Sequence, residues 1–80
     1  MGLIGSTKLR ILKDLQNGPS HGYAIADRLD ISKGGVYTHL EELEKEGMIA
    51  VTDQEEEGRQ QKYYELTENG ELLLEALGES

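Results

Sequence analysis

Apolar residues recur along this 80-residue chain in four stretches with helical spacing. The first stretch predicts a helix over residues 7–17, which ends where Gly18 suits the position after a helix and Pro19 blocks its continuation. The second predicts a helix over residues 21–29, with Ser20 as its N-cap. The first third of the chain is therefore expected to form two consecutive helices.

The third stretch predicts a helix over residues 33–46, with Ser32 as its N-cap and Gly47 at its end. The fourth predicts a helix over residues 68–77, which Thr67 caps. The second and third helices are separated by a turn of only three residues, which is typical of a helix-turn-helix motif.

Between the last two helices, "MIAVTD" and "QKYYEL" predict two short strands around the polar loop "QEEEGR". Period-two alternation places Tyr64 and Leu66 on one face of the second strand and Tyr63 on the other, with Tyr64 in the core. The order α-α-α-β-β-α indicates a mostly α fold with a small β-hairpin wing, a winged helix-turn-helix. Residues 1–80 are expected to form one domain.

Two adjacent glycines occupy the first turn of the third helix, where each costs about 1 kcal/mol relative to alanine. One explanation is that Gly34 and Gly35 let the helix start approach a DNA backbone closely. The other is that they allow close packing against the second helix. Under the first explanation, Lys33, Thr38 and, at the border of that face, His39 are left to read bases.

Three segments carry a resemblance to a known family: "GPSHGYAIADRL", "SKGGVYTHLEELEKEGMI" and "GRQQKYYELTENG". In this order and spacing, over about residues 9–72, they resemble the PadR-like transcriptional regulators. The resemblance implies a dimeric DNA-binding repressor that places its third helix in the major groove with the wing alongside. Gln60 departs from the family, which often has proline there, so a more flexible wing is expected.

The resemblance also implies functional positions. Ser32, Lys33 and Tyr37 would contact DNA near the recognition helix, and Arg59 and Lys62 on the wing would meet phosphates or the minor groove. Family members usually continue into a longer C-terminal helix, whereas this sequence stops at residue 80, so no small-molecule effector is evident. The candidate DNA-binding residues are Ser32, Lys33, Gly34, Gly35, Tyr37, Thr38, His39, Arg59 and Lys62.

The net charge of −8 argues against a nucleic-acid partner until its distribution is considered. Residues 1–40 hold five basic and three acidic side chains, net +2, and residues 41–80 hold three basic and thirteen acidic ones, net −10. A solvated acidic loop at Glu55, Glu56 and Glu57 beside Arg59 is the strongest argument against a DNA-binding wing. The alternative function is a winged-helix module that binds protein through its acidic face and its leucines.

The last helix predicts a partner. Its apolar side chains spread over roughly 200°, whereas a helix that packs on one core needs a stripe nearer 100°. The apolar side chains outside that stripe are expected to pack against the same helix of a second copy. The alternative is a monomer whose first and last helices pack together. The candidate dimerisation residues are Leu72, Leu73, Leu74 and Leu77.

Other classes of function find no support in the sequence. There is no cysteine, and His21 and His39 lie in different elements, so neither a metal site nor a cofactor is expected. No catalytic constellation is present, so the chain is not expected to be an enzyme. No apolar run reaches the roughly 20 residues of a membrane span, and the absence of cysteine fits a reducing cytoplasm.

Overall fold

The computed structural model of the chain describes residues 6–56 and 58–78, without the side chains at 54–56 and 59–60. Within these residues, four helices and a three-stranded antiparallel sheet form the winged-helix fold that the sequence predicts. The elements in chain order are α1 (Ser6–Leu15), β1 (Ser20–His21), α2 (Gly22–Leu29), α3 (Lys33–Lys45), β2 (Ile49–Glu56), β3 (Arg59–Leu66) and α4 (Glu68–Ala76).

The core lies where the four helices meet one face of the sheet. Full burial of a large aliphatic side chain contributes about 1.5–3 kcal/mol to the stability of the fold. The buried side chains of the helices are the apolar residues whose helical spacing is seen in the sequence. Tyr64 is 6% exposed, so its predicted place in the core is confirmed. The buried apolar residues are Ile11, Leu12, Leu15, Ile25, Ala26, Val36, Leu40, Leu43, Ile49, Tyr64 and Leu74.

Two of the three predicted N-caps are confirmed. The Ser32 hydroxyl accepts a hydrogen bond from the Gly35 amide at 3.1 Å, and the Thr67 hydroxyl accepts one from the Gly70 amide at 3.1 Å. The prediction of Ser20 as the cap of α2 is wrong. His21 is the cap, because its Nδ1 accepts from the Ala24 amide at 3.3 Å.

Ser20 and His21 instead form β1, a strand that the sequence analysis does not predict. The sheet order is β1-β3-β2, with Ser20 opposite Tyr64 and His21 opposite Tyr63. This short strand joins the start of α2 directly to the base of the hairpin.

The hairpin is longer than predicted. β2 and β3 stay in register from Ile49 opposite Leu66 to Glu56 opposite Arg59, so most of the expected polar loop is strand. Gly58 lies in the turn at φ +78°. Of the predicted acidic loop, Glu55 and Glu56 belong to β2, and Glu57 lies outside the described residues.

A charged network ties α1 to α2 and β1. The Arg28 guanidinium donates to both carboxylate oxygens of Asp14, at 2.9 and 2.7 Å, and also to the Ser20 hydroxyl at 2.6 Å. The Asp14 side chain is only 9% exposed. The hydrogen bond to Asp14 raises the pKa of Arg28.

α4 corrects one predicted dimerisation residue. Leu74 is fully buried within a single chain and is not available to a second copy. Leu72 is 54% exposed, and Leu73 and Leu77 are half-buried. The helix packs closely at its first turn, because a Cβ on Gly70 would overlap the Met48 carbonyl oxygen.

Candidate nucleic-acid interface

The first turn of α3 explains its two glycines separately. A Cβ on Gly35 would lie 2.9 Å from the Ser32 Oγ, so this glycine leaves room for the capping hydroxyl. A Cβ on Gly34 would meet no atom within 4 Å. Packing against α2 is therefore not what these glycines allow. Gly34 leaves an open backbone surface at the exposed helix start.

The close approach between α2 and α3 is found at Gly22. The Tyr37 ring lies over this residue, and a Cβ there would be 2.6–2.7 Å from its Cζ, Cε1 and hydroxyl oxygen. Tyr37 remains 40% exposed. The hydroxyl end of the ring thus packs on Gly22 of α2, while the side chain as a whole stays partly exposed.

Tyr23 is a surface residue that is not among the sequence-predicted site residues. It is 55% exposed, and its ring meets the Tyr37 ring edge-on with centroids 6.3 Å apart. The Lys33 ammonium lies 5.0 Å from the centroid of the Tyr23 ring, within cation–π distance. α2 therefore contributes to the surface around the start of α3.

A groove of about 300 Å³ runs between the start of α2, α3 and the wing. β1 pairs with β3 at Tyr63 and Tyr64, so within the described residues the edge of β3 toward Arg59 has no strand beside it on that side. The groove opens along this edge. Its lining residues are His21, Tyr23, Tyr37, Gln61 and Lys62.

The structure brings only some of the candidate residues together. Tyr37 and Lys62 line the groove, whereas Arg59 lies three residues further along β3, about 10 Å away. Thr38 is exposed on α3, and its hydroxyl donates to the Gly34 carbonyl at 3.2 Å. Tyr37 on α3 and Lys62 on β3 thus belong to one surface.

His39 is less available than the sequence predicts. Its Nδ1 is buried, lies 3.8 Å from a Glu42 carboxylate oxygen and has no hydrogen-bond partner among the described residues. The imidazole is thus turned partly inward. Only one edge of this side chain remains for a ligand.

Among the described residues, some basic side chains bind groups of the protein itself and others do not. Lys8 pairs with Glu42 at 3.2 Å, and Arg10 donates to the Leu29 carbonyl at 2.7 Å. Lys33 and Lys62 are exposed and form no ion pair within the described part of the chain. Two cations that remain available to a ligand, Lys33 and Lys62, therefore lie near the groove.

Carboxylates lie at both ends of this surface. Along α3 they begin at Glu41, eight residues or about 12 Å from Lys33, which is beyond the Debye length of roughly 8 Å at physiological salt. Asp53 stands directly opposite Lys62 in the hairpin register. Along α3 itself, the nearest carboxylate is therefore further from Lys33 than Asp53 is from Lys62.

A winged helix with an exposed start of α3 and an exposed lysine on the wing is the architecture of a DNA-binding transcriptional regulator. The family model described as "Transcriptional regulator PadR-like family" matches residues 11–76, and the chain belongs to this family. The resemblance seen in the sequence is confirmed. Searching curated proteins found no match.

Solved structures of transcription regulators share this fold. A PadR family transcription regulator from Clostridium difficile is 26% identical with a TM-score of 0.85, over 92% of this chain and 84% of that one. The adhesin competence repressor AdcR of Streptococcus pyogenes is 27% identical with a TM-score of 0.83, over 92% of this chain and 55% of that one. A Lactococcus lactis ZitR mutant in complex with DNA is 25% identical with a TM-score of 0.80, over 94% and 51%. The chain thus spans about half the length of the last two.

No group of three or more histidines, aspartates and glutamates among the described residues is placed to hold a metal ion. None of the described helices is long and apolar enough to cross a membrane.

Proposed function

We propose that the protein is a sequence-specific repressor that places the N-terminal half of α3 in the major groove and the wing on the backbone or in the minor groove. One observation carries this proposal: Gly34 leaves an open backbone at the start of α3, the helix from which Tyr37 lines a groove together with Lys62. Neither Lys33 nor Lys62 forms an ion pair among the described residues. AdcR, which is named a repressor, and ZitR, which is solved with DNA, support the role. Such a role belongs in the cytoplasm.

The roles of the side chains follow from their positions. Ser32, Tyr37, Arg59 and Lys62 contact phosphates and fix the register of the protein on the duplex. Thr38 reads a base edge from the exposed face of α3, where its methyl group and its hydroxyl oxygen remain free to make contacts. Gly34 lets the helix backbone come close to a sugar-phosphate edge.

A second copy of the chain binds through α4. The surface for this contact consists of Leu72 with the half-buried Leu73 and Leu77. A dimer places two recognition helices about one DNA turn apart, roughly 34 Å, so that two half-sites add their free energies. Light scattering at about 100 µM that shows only 8.9 kDa material would contradict the dimer.

Selection of bound duplexes from a random pool tests the function as a whole. We expect an enriched sequence that binds in fluorescence anisotropy more tightly than an unrelated duplex of equal length. Exchanging both Arg59 and Lys62 for alanine should weaken this binding strongly. Lys45→Ala is the matched control, because this exposed lysine lies in the last turn of α3. No preference for any duplex over competitor at low ionic strength would refute the proposal.

A further inference from the structure

The Lys33 side chain does not follow the face of α3 that carries Gly34 and Thr38. Its ammonium reaches across to α2 and lies 5.0 Å from the centroid of the Tyr23 ring. An exposed cation–π contact favours such an arrangement by about two- to fivefold. Lys33 is therefore directed away from the base-reading side of the helix before any DNA is bound.

Tyr23 is itself held in place. Its ring meets the Tyr37 ring edge-on at 6.3 Å, with 67° between the ring planes. The Tyr37 ring in turn rests on Gly22, where any side chain would collide with it. Three contacts in series therefore run from the backbone of α2 to the ammonium of Lys33.

The groove beside these rings has a cation on each side. Tyr23 and Tyr37 line it together with Lys62 from β3, and the Lys33 ammonium lies over the Tyr23 ring. Neither lysine has a carboxylate partner among the described residues. One strand of a DNA backbone fits this arrangement. It is a linear polyanion that can contact two separated cations, and its sugars can lie against the tyrosine rings between them.

We propose that Tyr23 is a positioning residue that turns Lys33 toward the sugar-phosphate backbone, so that one DNA strand runs through the groove between Lys33 and Lys62. Lys33 then contributes affinity rather than sequence preference, which revises its assignment from the sequence as a base-reading residue. This inference rests on the proposed function, because it names the part of the duplex that the groove takes.

Salt dependence separates a phosphate contact from a base contact. Binding of the selected duplex and of an unrelated duplex is measured over a salt series for the wild type, Lys33→Gln and Lys45→Gln. We expect Lys33→Gln to weaken both duplexes by the same factor and to reduce the slope of log K against log salt by about 0.9. Lys45→Gln, the matched loss of charge on the same helix, should leave the slope unchanged.

Tyr23 is tested by ring removal and ring retention. Tyr23→Leu should lower affinity about two- to fivefold, and Tyr23→Phe should restore it, since the ring face and not the hydroxyl holds the ammonium. In the free protein, NMR should show ring-current shifts of the Lys33 ε-methylene protons that disappear in Tyr23→Leu and persist in Tyr23→Phe. Tyr23 is 55% exposed, so these variants are expected to fold.

Several outcomes would overturn the proposal. These are a change of base preference in Lys33→Gln with an unaltered salt slope, a gain of affinity in Tyr23→Leu, and Lys33 shifts in the free protein that do not respond to Tyr23. If the wild type binds no duplex at all, the proposed function itself fails, and the NMR comparison still decides whether Tyr23 positions Lys33.

Discussion

Replacing Gly34 by alanine should strengthen the fold and weaken DNA binding. Alanine is favoured over glycine in a helix by about 0.5–1 kcal/mol. The new Cβ would meet no atom within 4 Å, so no steric cost offsets this gain. For a chain of 80 residues, the gain corresponds to a rise in Tm of about 3–6 °C.

The same methyl group points into the space where we place the DNA backbone. An overpacked contact costs about 1–3 kcal/mol, so the affinity for the selected duplex should fall about fivefold or more. Thermal unfolding followed by circular dichroism measures the first effect, and fluorescence anisotropy measures the second. Opposite signs for folding and binding are the signature of a residue kept for its ligand rather than for its own helix.

Gly35→Ala provides the matched control one residue away. Its Cβ would lie 2.9 Å from the Ser32 Oγ and disturb the N-cap, at a cost of about 1 kcal/mol that cancels the helix gain. Its Tm should therefore stay at or below that of the wild type. A Gly34→Ala variant that binds DNA as tightly as the wild type, or a Gly35→Ala variant that gains equal stability, would refute the reasoning.

Three further expectations concern stability. Gly70→Ala should lower the free energy of unfolding by about 1–3 kcal/mol in urea titrations, because its Cβ overlaps the Met48 carbonyl; an unchanged midpoint would contradict this packing. In a double-mutant cycle, Asp14→Ala and Arg28→Ala should couple by about 1 kcal/mol, a value reduced by the 49% exposure of Arg28, and additive effects would exclude the pair. Burial raises the pKa of Tyr64, so stability should fall as pH rises above about 10, where the unfolded tyrosine ionises first, and Tyr64→Phe should lessen this fall.

The helices were predictable because their signals are local. Apolar spacing, the caps Ser32 and Thr67 and the stops at Gly18 and Gly47 each act within one or two turns of chain. The two-residue strand β1 has no period to detect, and it exists only because β3 pairs with it. The full length of the hairpin was missed since its outer half is polar on both faces, which hides the alternation.

The candidate site was predictable only in part. Spacing on one helix identified Gly34 and Thr38, whereas the contacts that shape the groove join residues far apart in sequence. Tyr37 over Gly22 and Tyr23 under Lys33 depend on how α2 crosses α3, which no local pattern records. The burial of Leu74 likewise depends on what α4 packs against. The angular spread of apolar residues around α4 therefore assigned to the dimer surface a residue that belongs to the core.

The two residues of β1 have a mechanical consequence. Ser20 and His21 pair with Tyr64 and Tyr63 immediately before α2 begins. The base of the hairpin and the start of α2 are therefore held together as one rigid unit. β1 ends where the groove opens, so the outer half of the hairpin projects from this rigid unit and is attached to it at one end. Exchanging the outer half of the hairpin for that of a relative should therefore change the contacts of the wing with the duplex. The angle of α3 relative to the rest of the fold should stay the same.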